Sequence, residues 1–555
     1  MEIEPNSPKQ EGIHMKTIYH GGRVFTGALP LTEAFIVENG RFTAAGTSEE
    51  LLARRADGDE LFDLEGRFVC PGFNDSHMHL LNLGNTLEIC DLTGPATSSL
   101  AALQQALRSF ADQHQLSGEA LLLGRGWNQD FFSPATGIPT RHDLDAVSAE
   151  LPVCIIRCCG HSLVVNTRAL ELLGIDENTP VPEGGAIERG ADGKLNGVFL
   201  DTAMVLVQSR FPVPTREELK QRILAAAAAL NAVGVTSCHS DDLCAFENLS
   251  WREILAALQE LNAENALTVR VYEQSQFVDT EGLQSFLDLG LTTGCGNEMF
   301  KIGPLKLVGD GSLGARSAYM STSYADAPEE KGLAIFTQEQ FNDMISLAHE
   351  HGMDAAIHVI GDGILDRVLN AFEYAFARKP QGSARSGLVH VQLTRPDQLK
   401  RIHDLGLSAH VQCIFIDYDS HIVHARAGEK LASTSYAFRT MKEMGIPVSN
   451  GTDCPVEYPN PMRGLQCAVT RQPLDGSLPP YRPEEAFTVE EALQIYTAAG
   501  AYASHEEDFK GKIQPGMVAD FVILDKSPFD VPAGDIHKIK TLQTFLGGRC
   551  VYSAR

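Results

Sequence analysis

The sequence predicts a (β/α)8 TIM barrel carrying an inserted subdomain, with a small β-sandwich-like domain formed from both termini. Three observations lead there. Eight short apolar runs recur through the middle of the chain and mostly alternate with helix-patterned segments, as in a parallel barrel. Both ends show short strand-like runs punctuated by Gly pairs and Asn-Gly. One interval between apolar runs, residues 85–231, is far longer than a crossover requires.

In chain order, residues 1–14 ("MEIEPNSPKQEGIH") are polar and lack the apolar stretch of a signal peptide. They are expected to be a disordered tail, or an upstream start preceding Met15. Residues 15–70 read as strands and turns in "KTIYHGGRVFTG", "AFIVENGRFTAAGT" and "LFDLEGRFVC". The same texture returns over 506–555 in "GKIQPGMVADFVILD" and "TFLGGRCVYSA", so the two ends form one composite β-domain. Residues 71–505 hold the barrel. Its strands are read in "FVCPGFNDSHMH", "AVGVTSCHS", "LTVRVYEQ", "IGPLKLVGD", "DAAIHVIGD", "SGLVHVQL", "LSAHVQC" and "IPVSNGTD". Helical patterns such as "TQEQFNDMISLAHEHG" and "YAFRTMKEMG" separate most of them. The 85–231 insertion contains the strand-like "VCIIRCCGHSLVVN" and the helix "ELKQRILAAAAALNAVG". Its place after the first strand puts it over the barrel mouth.

Composition narrows the function classes. A 43% hydrophobic, 21% charged chain is globular in character. Its net charge of −27 disfavours nucleic acid and anionic membrane, which need clustered Lys and Arg. No run of about 18 apolar residues is present, so no membrane span is expected. The twelve cysteines include no C-x-x-C, and Cys154, Cys158 and Cys159 lack zinc-knuckle spacing. Free thiols in a reducing cytoplasm are the expected state.

Active sites of such barrels lie at the C-terminal ends of the strands. The first strand ends in "HMH", and side chains two apart share a face, so His77 and His79 aim at one spot. Lys306 lies in the fourth run between Leu305 and Leu307, where an unpaired ammonium would be costly. His358 falls in the fifth run, His390 in the sixth, and Asp453 just after the eighth. Singly, each histidine is more simply read as a satisfied core or rim residue. Six such groups at the ends of five strands point to one metal centre.

These residues resemble the amidohydrolase superfamily: "HMH", the lysine followed by "GDGSLGARSA", "IHVIGD", the histidine of "LVHVQL" and "GTDCPVE". The chain is most similar to the YtcJ-like branch of metal-dependent hydrolases, which includes N-substituted formamide deformylase. The likeness extends to "GHSLVVNTRAL" and "GKIQPGMVADFVILD", nearly the whole length. Two departures stand out. Relatives usually carry Arg-Ile-Glu-His where this chain has "SGLVH", and often Val-Gln-Pro where it has "VQC" at 411–413.

The resemblance implies two divalent metals, expected to be zinc, bridged by a lysine that CO2 has carboxylated, here Lys306. His77, His79 and Asp453 would hold one metal and His358 and His390 the other, a donor set that suits zinc but also nickel, manganese or iron. Such a centre hydrolyses a C–N bond of an amide-type small molecule, N-acyl or N-formyl, with Asp453 moving the proton. Hydrolysis of a cyclic amide fits the same centre. Deamination fits less well, because related deaminases place a glutamate where this chain has Gly361. A non-catalytic binding protein on a degenerate barrel would have lost ligands, and all six are present. Trp127 and His161 in the insertion, and Arg316, are the substrate-binding candidates, each with ordinary packing or ion pairing as its plainer role. The assembly is left open, a homodimer being one arrangement.

Overall fold

The computed structural model describes residues 16–94, 98–157, 162–182, 185–210, 213–246 and 248–554. Eight strands form one parallel sheet in chain order: Phe73–Met78, Val235–Ser240, Arg270–Gln276, Phe300–Val308, Ala355–Val359, Gly387–His390, Ser408–Val411 and Val448–Asn450. All eight lie where the apolar runs place them. Most are buried along their whole length, because helices cover parallel strands and leave no polar face to alternate.

The first and eighth strands meet through their C-terminal extensions. Asp453 N donates to His77 O and His79 N to Cys454 O, each at 2.8 Å. Gly451 makes that approach feasible, since a Cβ there would lie 2.6 Å from His77 N. The helices follow ordinary sequence logic. Gln338–Glu350 starts at a capping box between Thr337 and Gln340 and buries Phe341, Met344, Ile345 and Ala348 along one face.

The terminal residues build two sheets. One orders the strands Arg41–Gly46, Ala34–Glu38, Lys16–His20 and Glu60–Asp63. The other orders Arg23–Val24, Phe68–Pro71, Phe521–Leu524, Thr541–Leu546 and Arg549–Ser553, joining both ends of the chain. Tyr19, Phe35, Phe42, Val69, Phe521 and Phe545 pack into their shared core. Asn39-Gly40 and Gly547-Gly548 close two-residue hairpins with positive φ at both positions, as the sequence predicts. Gly21-Gly22 does not close a hairpin. It carries the chain from one sheet to the other.

Residues 81–225, with 246–250, form a second compact unit. Its six-stranded sheet runs Gly185–Arg189, Leu195–Asp201, Ser162–Val165, Val153–Arg157, Leu122–Trp127 and Cys90–Asp91. Alternate residues supply separate cores on its two faces: Val153, Ile155 and Val164 on one, Cys154, Leu163 and Val165 on the other.

Candidate metal centre

The barrel delivers its polar groups to one end. His77 lies near the end of the first strand and His390 ends the sixth; His79 and Asp453 follow the first and eighth. Asp453 Oδ1 is 3.3 Å from His77 Nε2 and 3.1 Å from His79 Nε2. His77, His390 and Asp453 each offer a ligand atom, all within 4.8 Å of one another. The His358 ring stands beside His390, centroids 4.3 Å apart, and its Nε2 lies 3.3 Å from Gly311 O and 3.4 Å from Asp310 Oδ1. Lys306 is only 1% exposed, and its Nζ donates to Asp241 Oδ2 at 3.1 Å.

The ring orientations are set from behind. His77 Nδ1 contacts Gln274 Oε1 at 2.7 Å, His390 Nδ1 contacts Gln412 Oε1 at 2.6 Å, and His79 Nδ1 contacts the Asp241 carbonyl at 3.1 Å. A carbonyl oxygen can only accept, so each Nδ1 carries the hydrogen and each Nε2 keeps its lone pair when the ring is neutral. Burial and the Lys306 charge hold His77 below its ordinary pKa, and burial with the neighbouring His358 holds His390 well below. Burial would raise the Asp453 carboxyl, but His77 and His79, whose Nε2 atoms donate to it when the rings are protonated, hold it well below the usual range. Burial would lower His79, but Asp453 and Asp241 raise it to about 9, so a metal binding there would displace its Nε2 proton. Imidazole lone pairs facing a carboxylate are the donor set a divalent transition metal takes.

The backbone is unusual at the same points. His390, Val391 and Asp453 have φ of 73°, 50° and 58°, a left-handed conformation that costs non-glycine residues about 1–2 kcal/mol. Asp75 braces the join between the first and eighth strands. Its Oδ1 accepts from Thr452 N at 3.0 Å and His77 N at 3.3 Å, and Thr452 Oγ1 also donates to its carboxylate. Burial pushes the Asp75 carboxyl up to about 7, against those hydrogen bonds.

The three substrate-binding candidates fare differently. Trp127 is fully buried in the insertion unit's own core with Leu92, Leu107 and Phe132, so it packs that unit and presents no surface to a ligand. The Arg316 guanidinium is engaged: Nε and Nη2 donate to the Asp326 carboxylate at 3.1 and 2.9 Å, and Arg426 donates to it as well. The Asp326 carboxylate, shared with Arg426, pairs Arg316 without a substrate carboxylate. His161 lies outside the described residues.

Sequence reasoning passed over Asp75, Asp241, Gln274 and Gln412. The available signal was a polar residue inside or just after an apolar strand run, as in "NDSH", "CHSDD", "YEQSQ" and "HVQC".

Comparison with known proteins bears on this geometry. The Amidohydrolase family model matches residues 60–552. YtcJ of Bacillus subtilis (strain 168) is 31% identical over 542 residues, 97% of this chain and 99% of its own. N-substituted formamide deformylase of Arthrobacter pascens is 26% identical over 529 residues, 93% of this chain and 94% of its own. The crystal structure of an uncharacterized metal-dependent hydrolase from Pyrococcus furiosus superposes with a TM-score of 0.75 at 29% identity, covering 93% of this chain and all of that one.

Proposed function

The chain belongs to the amidohydrolase family, and on that premise we propose that it is a metal-dependent hydrolase of a C–N bond in an N-acyl or N-formyl amide. The convergence of His77, His79, His390 and Asp453 carries this reading. His77, His79 and Asp453 would hold one zinc ion, His358 and His390 a second, and a carboxylated Lys306 would bridge them. A divalent metal so held supplies a Lewis acid for the substrate carbonyl and acidifies water.

The chain's own groups do the rest. Gln274, Gln412 and the Asp241 carbonyl keep the imidazoles aimed while bonds change. Asp453 takes a proton from the attacking water as its oxygen bonds to the carbonyl carbon. It then delivers that proton to the leaving nitrogen as the C–N bond breaks; the ionised carboxylate is the form that can take the first proton. A cytoplasmic setting is part of the proposal, and every described cysteine is a free thiol.

The test is a panel of N-formyl, N-acyl and cyclic amides with zinc-loaded protein, amine release and ring opening being measured. Release of amine from open-chain amides is expected. Turnover of cyclic amides alone would reassign the substrate, and inertness of metal-replete protein on every member would sink the reading.

A further inference from the structure

Asp241 follows the second barrel strand and is almost wholly buried. Its backbone N donates to Met78 O at 3.0 Å, which ties it to the end of the first strand. Its backbone carbonyl takes the His79 ring hydrogen at 3.1 Å, and its Oδ2 takes Lys306 Nζ at 3.1 Å. Gln276, with its amide nitrogen turned toward the carboxylate, donates to Oδ1 and Oδ2 at 3.0 and 3.2 Å. One residue thus gathers contacts from the first, third and fourth strands and touches two of the six metal-site residues. It stands behind the His79 ring: Nδ1 faces Asp241, while Nε2 on the other side faces Asp453 at 3.1 Å. Binding the same metal as His79 would require displacing that ring.

We infer that Asp241 is a positioning residue of the metal centre, holding Lys306 through its carboxylate and His79 through its carbonyl. The inference rests on the proposed bridging role of Lys306. Carboxylation forms an N–C bond from the Nζ lone pair to CO2, and one C–O π pair moves onto oxygen. The ammonium gives up two of its three protons to solvent and keeps one N–H. Nζ therefore has a hydrogen for Asp241 Oδ2 in both the free and the carboxylated lysine, and the same contact holds the long side chain in place across the modification. A flexible four-carbon arm gains most from such a fixed acceptor. Gln276 in turn keeps the acceptor from rotating.

The experiment compares wild type, D241N and Q276M after loading with zinc in 13C-bicarbonate. The carbamate carbon resonance, bound zinc per chain and zinc affinity are read, with circular dichroism as the fold check. Wild type should show the resonance. D241N should lose it and bind zinc about 10–100-fold more weakly, and Q276M should move the same way by a smaller factor. Raising bicarbonate should restore zinc affinity in the variants, a response that a purely structural defect would lack. If D241N does not fold, Q276M decides. A wild-type resonance retained in full by the folded variants, with unchanged zinc affinity, would overturn the role of Asp241 alone. A wild type without the resonance would overturn the bridge itself and this inference with it.

Discussion

Oδ1 of Asp453 lies 3.1 Å from Nε2 of His79, although 374 positions separate the two residues. A second contact, 3.3 Å to His77 Nε2, places the same oxygen between both histidines of the first strand. Asp453→Asn keeps the shape and one oxygen donor but removes the proton acceptor. Much of the metal should stay bound while kcat falls about 10²–10⁴-fold. A variant with altered KM and wild-type kcat would take Asp453 out of the chemistry.

Lys306 should matter in a different way, through assembly of the centre. Lys306→Ala removes the proposed bridge and leaves Asp241 without its ionic partner. Reduced bound metal and lost turnover are expected, with partial rescue by acetate as a substitute carboxylate. Full metal content and wild-type rates would refute the bridge.

Trp127 should behave as a core residue. It is fully buried in one core cluster with Leu92, Leu107, Leu144 and Val198, so Trp127→Ala leaves a cavity in the insertion unit. Unfolding of that unit should become easier by about 3–5 kcal/mol. Loss of activity, where it occurs, should be uniform across amide substrates. Selective loss for bulky substrates at unchanged stability would restore a recognition role.

Acid stability should depend on Glu506. Its carboxylate meets Lys301 Nζ at 2.8 Å, Lys510 Nζ at 2.5 Å and Ser504 Oγ at 2.8 Å. Burial would raise its pKa, but the charges of Lys510 and Lys301 bring it down to about 2. A carboxyl depressed on folding contributes stability above its unfolded pKa and loses it as pH falls from about 4.5 to about 2. The contribution is on the order of 3 kcal/mol, from which the burial cost of Lys510, itself pulled below its ordinary value, must be subtracted. Denaturant titrations of Glu506→Gln should show lower stability at neutral pH and a flatter profile between those pH values. Parallel curves for the two proteins would remove Glu506 from the acid response.

The barrel was legible because parallel strands buried on both faces read as unbroken apolar runs. Lys306, His358 and His390 stood out as polar exceptions inside them. The insertion's sheet was less so. Gly185–Arg189 is partly exposed and polar, and carries neither a clean alternation nor an apolar run. Asp241 was hidden because "SDD" after a strand reads as an ordinary solvated loop, whereas its carboxylate turns inward to a lysine two strands away. Trp127 was misleading for a related reason. Gly126 beside it does adopt a positive φ of 107°, yet the indole it precedes points into packing. Local sequence gives residue character and period. It does not say which of two faces a side chain takes when both are covered.

The join between the first and eighth strands has a consequence for how the molecule is made. A ribosome delivers His77 and His79 early, but their carboxylate partner only after all eight strands have been synthesised. On the proposed ligand set, the early histidine pair would supply only two of the donors, so metal would be captured by a nearly finished barrel. Once captured, it would act as a clasp across the place where strand pairing gives way to two isolated backbone bonds and the Asp75 brace. Metal acquisition would then also check completion: a chain whose last strand has failed to dock would keep its histidines apart from Asp453 and lack the full proposed ligand set.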